Sequence, residues 1–150
     1  MTLSGKTVLI TGASRGIGAA TAQHLASLDA NVVLVARTNN ALKQLAKDIG
    51  PKAKVMVCDV SDLKQVNAVV NASVETFGSL DILINNAGIL GPVDMLADIS
   101  PNDWDEVIDT NVKGVFYMMH AAIPIMVAQK KGVIINVSSG AAYGLSLIHI

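Results

Sequence analysis

Apolar and polar residues follow one another along this chain in blocks rather than singly. Five short apolar runs occur at residues 8–10, 32–35, 55–57, 82–84 and 133–137, the last with Asn136 inside it. Each is rich in β-branched side chains and none alternates polar with apolar, the pattern of parallel strands covered on both faces. The cover must come from helices, and the intervening segments have helical spacing. Their apolar positions are Ile17, Thr21, Leu25 and Leu28; Leu42, Leu45 and Ile49; Leu63, Val66, Val70, Val74 and Phe77; and Trp104, Val107, Ile108 and Val115. Ser61-Asp62 and Ser100-Pro101 read as helix starts, and Gly50-Pro51 and Gly78 as stops. The alternation predicts one α/β domain built on a doubly wound parallel sheet, with its ligand beyond the carboxyl ends of the strands.

Composition narrows the functional classes. The 150 residues are 51% hydrophobic and 15% charged, with a net charge of −1, so no electrostatic footprint of a nucleic-acid binder is present. The longest apolar stretch, 115–128, contains His120 and Pro124 and falls short of the roughly 20 residues of a membrane span. It is expected to be a buried helix, and neither a membrane nor a nucleic acid is an expected partner. The N-terminal apolar run is too short for a signal peptide, which points to the cytoplasm. The single cysteine, Cys58, reads as a small buried hydrophobe. His24 and His120 fit no motif, no metal site is expected, and Trp104 and the methionines read as core.

The chemistry-bearing residues cluster at strand ends. Gly12, Arg37, Asp59, Asn86 and Ser139 each fall at or just after the end of a predicted strand, and so would share one rim of the sheet. The first strand runs into Gly12-Ala13-Ser14-Arg15-Gly16-Ile17-Gly18 and then a helix. Glycines there let the backbone approach a pyrophosphate, which a helix N-terminus stabilises with open N–H groups. The spacing Gly-x-x-x-Gly-x-Gly differs from the common Gly-x-Gly-x-x-Gly fingerprint.

That spacing resembles the short-chain dehydrogenase/reductase family, and the resemblance continues in order through Asp59-Val60, Asn85-Asn86-Ala87-Gly88, Asn111 and Ser138-Ser139. It implies a Rossmann-type domain, a nicotinamide cofactor, and hydride transfer between that cofactor and a small carbonyl or alcohol substrate. By the same resemblance, Gly12, Ser14, Arg15, Gly16, Ile17 and Gly18 surround the pyrophosphate, and Asp59 and Val60 hold the adenine. Asn86, Ala87 and Gly88 brace the sheet and approach the ribose. Asn111 has a carbonyl that holds a water in a proton relay, and Ser139 is the catalytic serine. Taken singly, Asp59 could cap a turn, Asn111 could satisfy helix backbone, and the serine pair could be an ordinary loop.

A strand-two acid would favour NAD, but here the strand ends Ala36-Arg37-Thr38. Arg37 and Arg15 suit the 2′-phosphate of NADP(H), which is therefore favoured over NAD(H). The other reading of Arg37 is a solvated arginine opening the next helix.

The family's proton-transferring tyrosine and its lysine would fall just past Ile150. Tyr143 lies too close to Ser139 to replace that tyrosine, and Leu147 stands where its lysine would be. Residues 145–150, Leu-Ser-Leu-Ile-His-Ile, resemble a translated transposon mosaic end, the other reading being a genuine apolar loop. Residues 1–144 are thus expected to be an NADP-binding Rossmann-type domain truncated after the fifth strand, inactive alone, with 145–150 a non-native tail. Such a truncation would uncover apolar surface on the fifth strand and the helix before it. The full-length parent is expected to be a homo-oligomer. The alternative is a non-catalytic dinucleotide-binding sensor or partner-binding module.

Overall fold

The computed structural model describes residues 3–140. Tyr143, Gly144, Leu147 and the expected tail at 145–150 lie outside the described residues. The order is β1 (Thr7–Thr11), α1 (Gly16–Ser27), β2 (Asn31–Ala36), α2 (Asn39–Ile49), β3 (Ala53–Val57), α3 (Leu63–Phe77), β4 (Ile82–Asn85), α4 (Pro101–Ile108), a π-helical turn at Asp109–Lys113, α5 (Gly114–Gln129) and β5 (Val133–Asn136). All five strands are parallel, in the spatial order β3-β2-β1-β4-β5. The order reverses between β1 and β4, and a crevice at that switch point is where such sheets bind ligands.

Successive side chains of the strands enter opposite layers. Leu9, Val33, Val35 and Leu83 pack with Val66, Val70, Met118 and Ala122 of α3 and α5. Val8, Ile10, Val32, Leu34 and Ile84 pack with Ala22, Leu42 and Leu45 of α1 and α2. The helix ends are as the sequence predicts. Asp62 caps α3 by accepting from the N–H groups of Lys64 and Gln65, and Ser100 caps α4 by accepting from Asp103 N–H. Gly50 and Gly78 end α2 and α3.

Cover on both faces holds for β1, β2 and β4 but not for the outer strands. Val133, Ile135 and Val137 of β5 and its continuation are exposed, because no described element covers the α1-side face of that strand. Nor is α5 buried all round. Gly114, Met118, Ala122 and Met126 are buried, whereas Phe116, Ile123 and Val127 on the other side are exposed. The helix also runs further than the apolar stretch suggests, from Pro101 to Gln129, and by length and composition alone it could cross a membrane. Its contacts with α3 give it a place in the α/β layer instead. Trp104 and Met95 are exposed rather than core, since α4 and the segment before it lie at the surface.

At the amino ends of the strands, a buried carboxylate ties three strands together. Asp81 accepts from Thr7 N–H at 3.1 Å, Ser79 Oγ at 2.7 Å, Lys6 Nζ at 3.1 Å and Lys131 Nζ at 2.9 Å. Burial raises its pKa, but the bonds from Lys131, Ser79, Thr7 and Lys6 outweigh that and hold the carboxyl well below the usual range.

Candidate functional site

At the switch point, the loop after β1 meets the loop after β4. Thr11 Oγ accepts from the N–H groups of Asn86 and Ala87, both at 3.0 Å. Asn86 Nδ2 returns the contact, donating to Thr11 O at 2.9 Å and Gly12 O at 3.3 Å. The approach is so close that only glycine fits. Gly12 has φ +65°, and a Cβ there would lie 2.9 Å from Ala87 Cα; at Gly18 it would lie 2.4 Å from Gly12 O. Gly18 is therefore buried behind the turn, holding α1 against it, and Ala13 is buried in the core, while Ser14, Arg15, Gly16 and Ile17 face outward.

Facing this turn is a cavity of about 640 Å³. Gly12, Ser14, Arg15, Gly16 and Ile17 line one end, and Asn86, Ala87 and Gly88 another side. The N-terminus of α1 opens here without a side-chain cap and without an acid in its first turn. Its N–H groups and the positive end of its dipole are thus available to an anion. Ile17, which the helical spacing also placed among apolar positions, is 67% exposed at this rim.

The third wall comes from the ends of β2 and β3, where Arg37, Asp59 and Val60 line the cavity. Asp59 Oδ1 accepts from both the N–H and the hydroxyl of Ser61, at 2.9 and 2.7 Å. It caps a turn and faces the cavity at once, so the two readings of this residue are compatible. Arg37 also takes both of its expected positions, lining the cavity while exposed enough to meet Glu106 of α4 at 3.5 Å. Cys58 is buried, and burial, followed by the charges of Asp59 and Asp62, pushes its thiol up to about 11. A thiol so strongly held in its neutral form is a poor nucleophile.

Of the residues expected to hold a cofactor, all but Gly18 line this one cavity. The two expected catalytic residues do not. The side chain of Asn111 accepts from Ile89 N–H at 2.9 Å and donates to Ile89 O at 2.8 Å, which fixes the loop after β4 to the π-helical turn. The amide thus satisfies loop backbone rather than that of its own helix. Ser139 lies exposed just past β5, on the same rim of the sheet. Asn85 Nδ2 donates to Asn136 Oδ1 at 2.8 Å and braces the strand that leads to it.

Several lining residues escape a reading of the sequence. Ala36, Thr38, Ala41, Cys58, Ile89 and Thr110 complete the cavity, and Thr11 is the hydrogen-bond hub of the turn. Thr11 directly precedes the first glycine, and a hydroxyl at a strand end is a natural acceptor for loop N–H groups. Its partners, 75 residues away, are not deducible from spacing.

Comparison with known proteins agrees with this fold. A family model described as short chain dehydrogenase matches residues 6–147. An NADP-dependent 3-hydroxy acid dehydrogenase of Schizosaccharomyces pombe is 40% identical over 142 residues, covering 91% of this chain and 55% of that protein. A galactitol 2-dehydrogenase of Agrobacterium fabrum is 42% identical over 148 residues, covering 94% and 55%. The chain thus spans about half the length of these relatives. Among solved structures, a metagenomic short-chain oxidoreductase in complex with NADP superposes with a TM-score of 0.88 at 39% identity, covering 93% of this chain and 64% of that one.

Proposed function

The chain belongs to the short chain dehydrogenase family, and on that premise we propose that it forms the NADP(H)-binding part of an oxidoreductase acting on a small carbonyl or alcohol substrate. The observation that carries this reading is the uncapped N-terminus of α1 opening on the cavity beside Gly12. A side chain at Gly12 or Gly18 would fill or distort the cradle, so the residues present fit a dinucleotide pyrophosphate. The open N–H groups of α1 would bind the pyrophosphate, Asp59 and Val60 the adenine, and Asn86 to Gly88 the ribose. Arg37 and Arg15 would bind the 2′-phosphate, a preference also suggested by the NADP-dependent relative and the NADP-bound neighbour. When bound, the cofactor supplies or accepts the hydride.

The chain's own residues would then orient the reacting groups. Ser139 Oγ would donate to the substrate oxygen, stabilising the charge that develops there. The amide of Asn111 pins the loop after β4, and its backbone carbonyl lies in a π-helical turn, a departure from regular helix common at functional sites. In this reading the family's proton-transferring tyrosine and its lysine would fall just past Ile150, in the part of the relatives' length that the chain does not span. Self-association of the complete enzyme is supported by the exposed apolar stripe Val112, Phe116, Ile123 and Val127. Its compartment in this reading is the cytoplasm. The two relatives differ in the substrates their names state, so the substrate class stays at carbonyl or alcohol.

The test is to express the complete reading frame and follow NADPH consumption with a panel of ketones and aldehydes. Carbonyl-dependent consumption, absent from the 150-residue chain alone, is the expected result. Tight NADPH binding by the complete protein without any turnover would favour the sensor reading instead.

A further inference from the structure

One charge beside the cavity has no part in the proposed cofactor site. Glu106, exposed on α4, meets Arg37 at the end of β2, with Oε1 3.5 Å from the guanidinium, and Arg37 in turn lines the cavity. The other acids of that region have other partners or none in reach. Asp103 accepts from Ser100, Asp109 pairs with Lys113, and Asp105 forms no ion pair among the described residues. Arg37 is thus the one cavity-lining cation with a carboxylate on it, while Arg15, across the cavity, has no ion-pair partner among the described residues.

We propose that Glu106 sets the strength of phosphate recognition in this site by competing with the 2′-phosphate for Arg37. The inference rests on the reading of Arg37 as the phosphate-binding residue. Both side chains are more than half exposed, 56% for Arg37 and 59% for Glu106, so the pair is weak and its exchange for a phosphate is easy. A dianionic phosphate placed at Arg37 also meets the negative charge of Glu106 at close range, which opposes binding in the same direction. A cofactor without that phosphate makes no demand on Arg37 and leaves the pair in place. Glu106 therefore narrows the gap between the two dinucleotides, lowering affinity for the phosphorylated one alone. This gives the site a specificity residue outside the strand ends that bear the recognised motif positions.

The experiment measures NADPH and NADH dissociation constants by fluorescence titration of the complete protein and three variants. Glu106→Gln should tighten NADPH binding about two- to fivefold, the range of an exposed ion pair, and leave NADH unchanged. Asp105→Asn removes the same charge from the same helix and should move neither by as much, which separates a contact from a general field. In an Arg37→Ala background, Glu106→Gln should lose most of its effect, since the competition has lost its object. If Glu106→Gln leaves NADPH affinity unchanged or weakens it while Arg37→Ala weakens it strongly, the inference is overturned and the phosphate reading of Arg37 survives. If Arg37→Ala alone has no effect on NADPH, that reading has failed and the inference falls with it.

Discussion

Asp81→Asn isolates the charge of the carboxylate that joins β1, β4 and β5. The amide keeps the size of the side chain and one acceptor for Thr7 N–H, but it loses the charge that faces Lys6 and Lys131. Asp81 itself is 5% exposed. Breaking a buried pair by removing one partner costs about 3–5 kcal/mol when the other charge stays buried. Here the lysine side chains are 44% and 51% exposed and can return to water. The expected loss is therefore smaller, about 2–3 kcal/mol, the scale of one or two charge-assisted hydrogen bonds. For a protein of this size or somewhat larger that corresponds to a fall of about 5–10 °C in Tm. The pH dependence has a definite sign. A carboxyl whose pKa is depressed on folding contributes stability that is fully present above its unfolded value, about 3.9, and is lost as pH falls toward the folded value. Denaturant titrations from pH 7 to pH 3 should thus show wild type and Asp81→Asn furthest apart at neutral pH and converging below about pH 4. A gap that stays constant down to pH 3, or a Tm change under about 1 °C, would show that the lysine pairs contribute nothing net.

Two further predictions concern the site. Gly18→Ala forces a methyl group to within 2.4 Å of Gly12 O and 2.6 Å of Asn86 Nδ2, so it should cost about 1–3 kcal/mol in stability and weaken NADPH binding, whereas Gly140→Ala, with nothing within 4 Å among the described residues, should do neither. Ser139→Ala in the complete enzyme should lower kcat about 10²–10³-fold with NADPH affinity nearly intact, as for loss of a donor to a developing oxyanion. Ser138→Ala should be mild, and the opposite ranking in steady-state kinetics would place the functional serine one residue earlier.

The strands were legible because each is a compact β-branched run, and the glycine segment because three glycines at fixed spacing have few uses other than a tight turn. Caps at Asp62 and Ser100 were legible for the same local reason. What the sequence hid is long-range. Nothing local indicates that Lys6 and Lys131 meet at Asp81, or that Asn111 spends its side chain on Ile89. Trp104 and Met95 were misplaced because residue type favours the interior, while burial depends on which element lies opposite. The stretch 115–128 reads as a buried helix, but only the side carrying Met118, Ala122 and Met126 is buried, while Phe116, Ile123 and Val127 are exposed. Arg37 shows the remaining ambiguity, since line-up with the cavity and exposure to Glu106 are both true of it.

In the proposed reading, this site recognises the 2′-phosphate of NADP(H) through Arg37 and Arg15. Equilibrium titration of the complete protein with NADPH and NADH tests it most directly, repeated with Arg37→Asp. Charge-assisted hydrogen bonds of about 1.5–3 kcal/mol predict NADPH binding tighter by roughly ten- to a hundredfold in the wild type, with the preference reversed in the variant as repulsion replaces attraction. Equal affinities in the wild type, or a preference that Arg37→Asp leaves unchanged, would contradict the account.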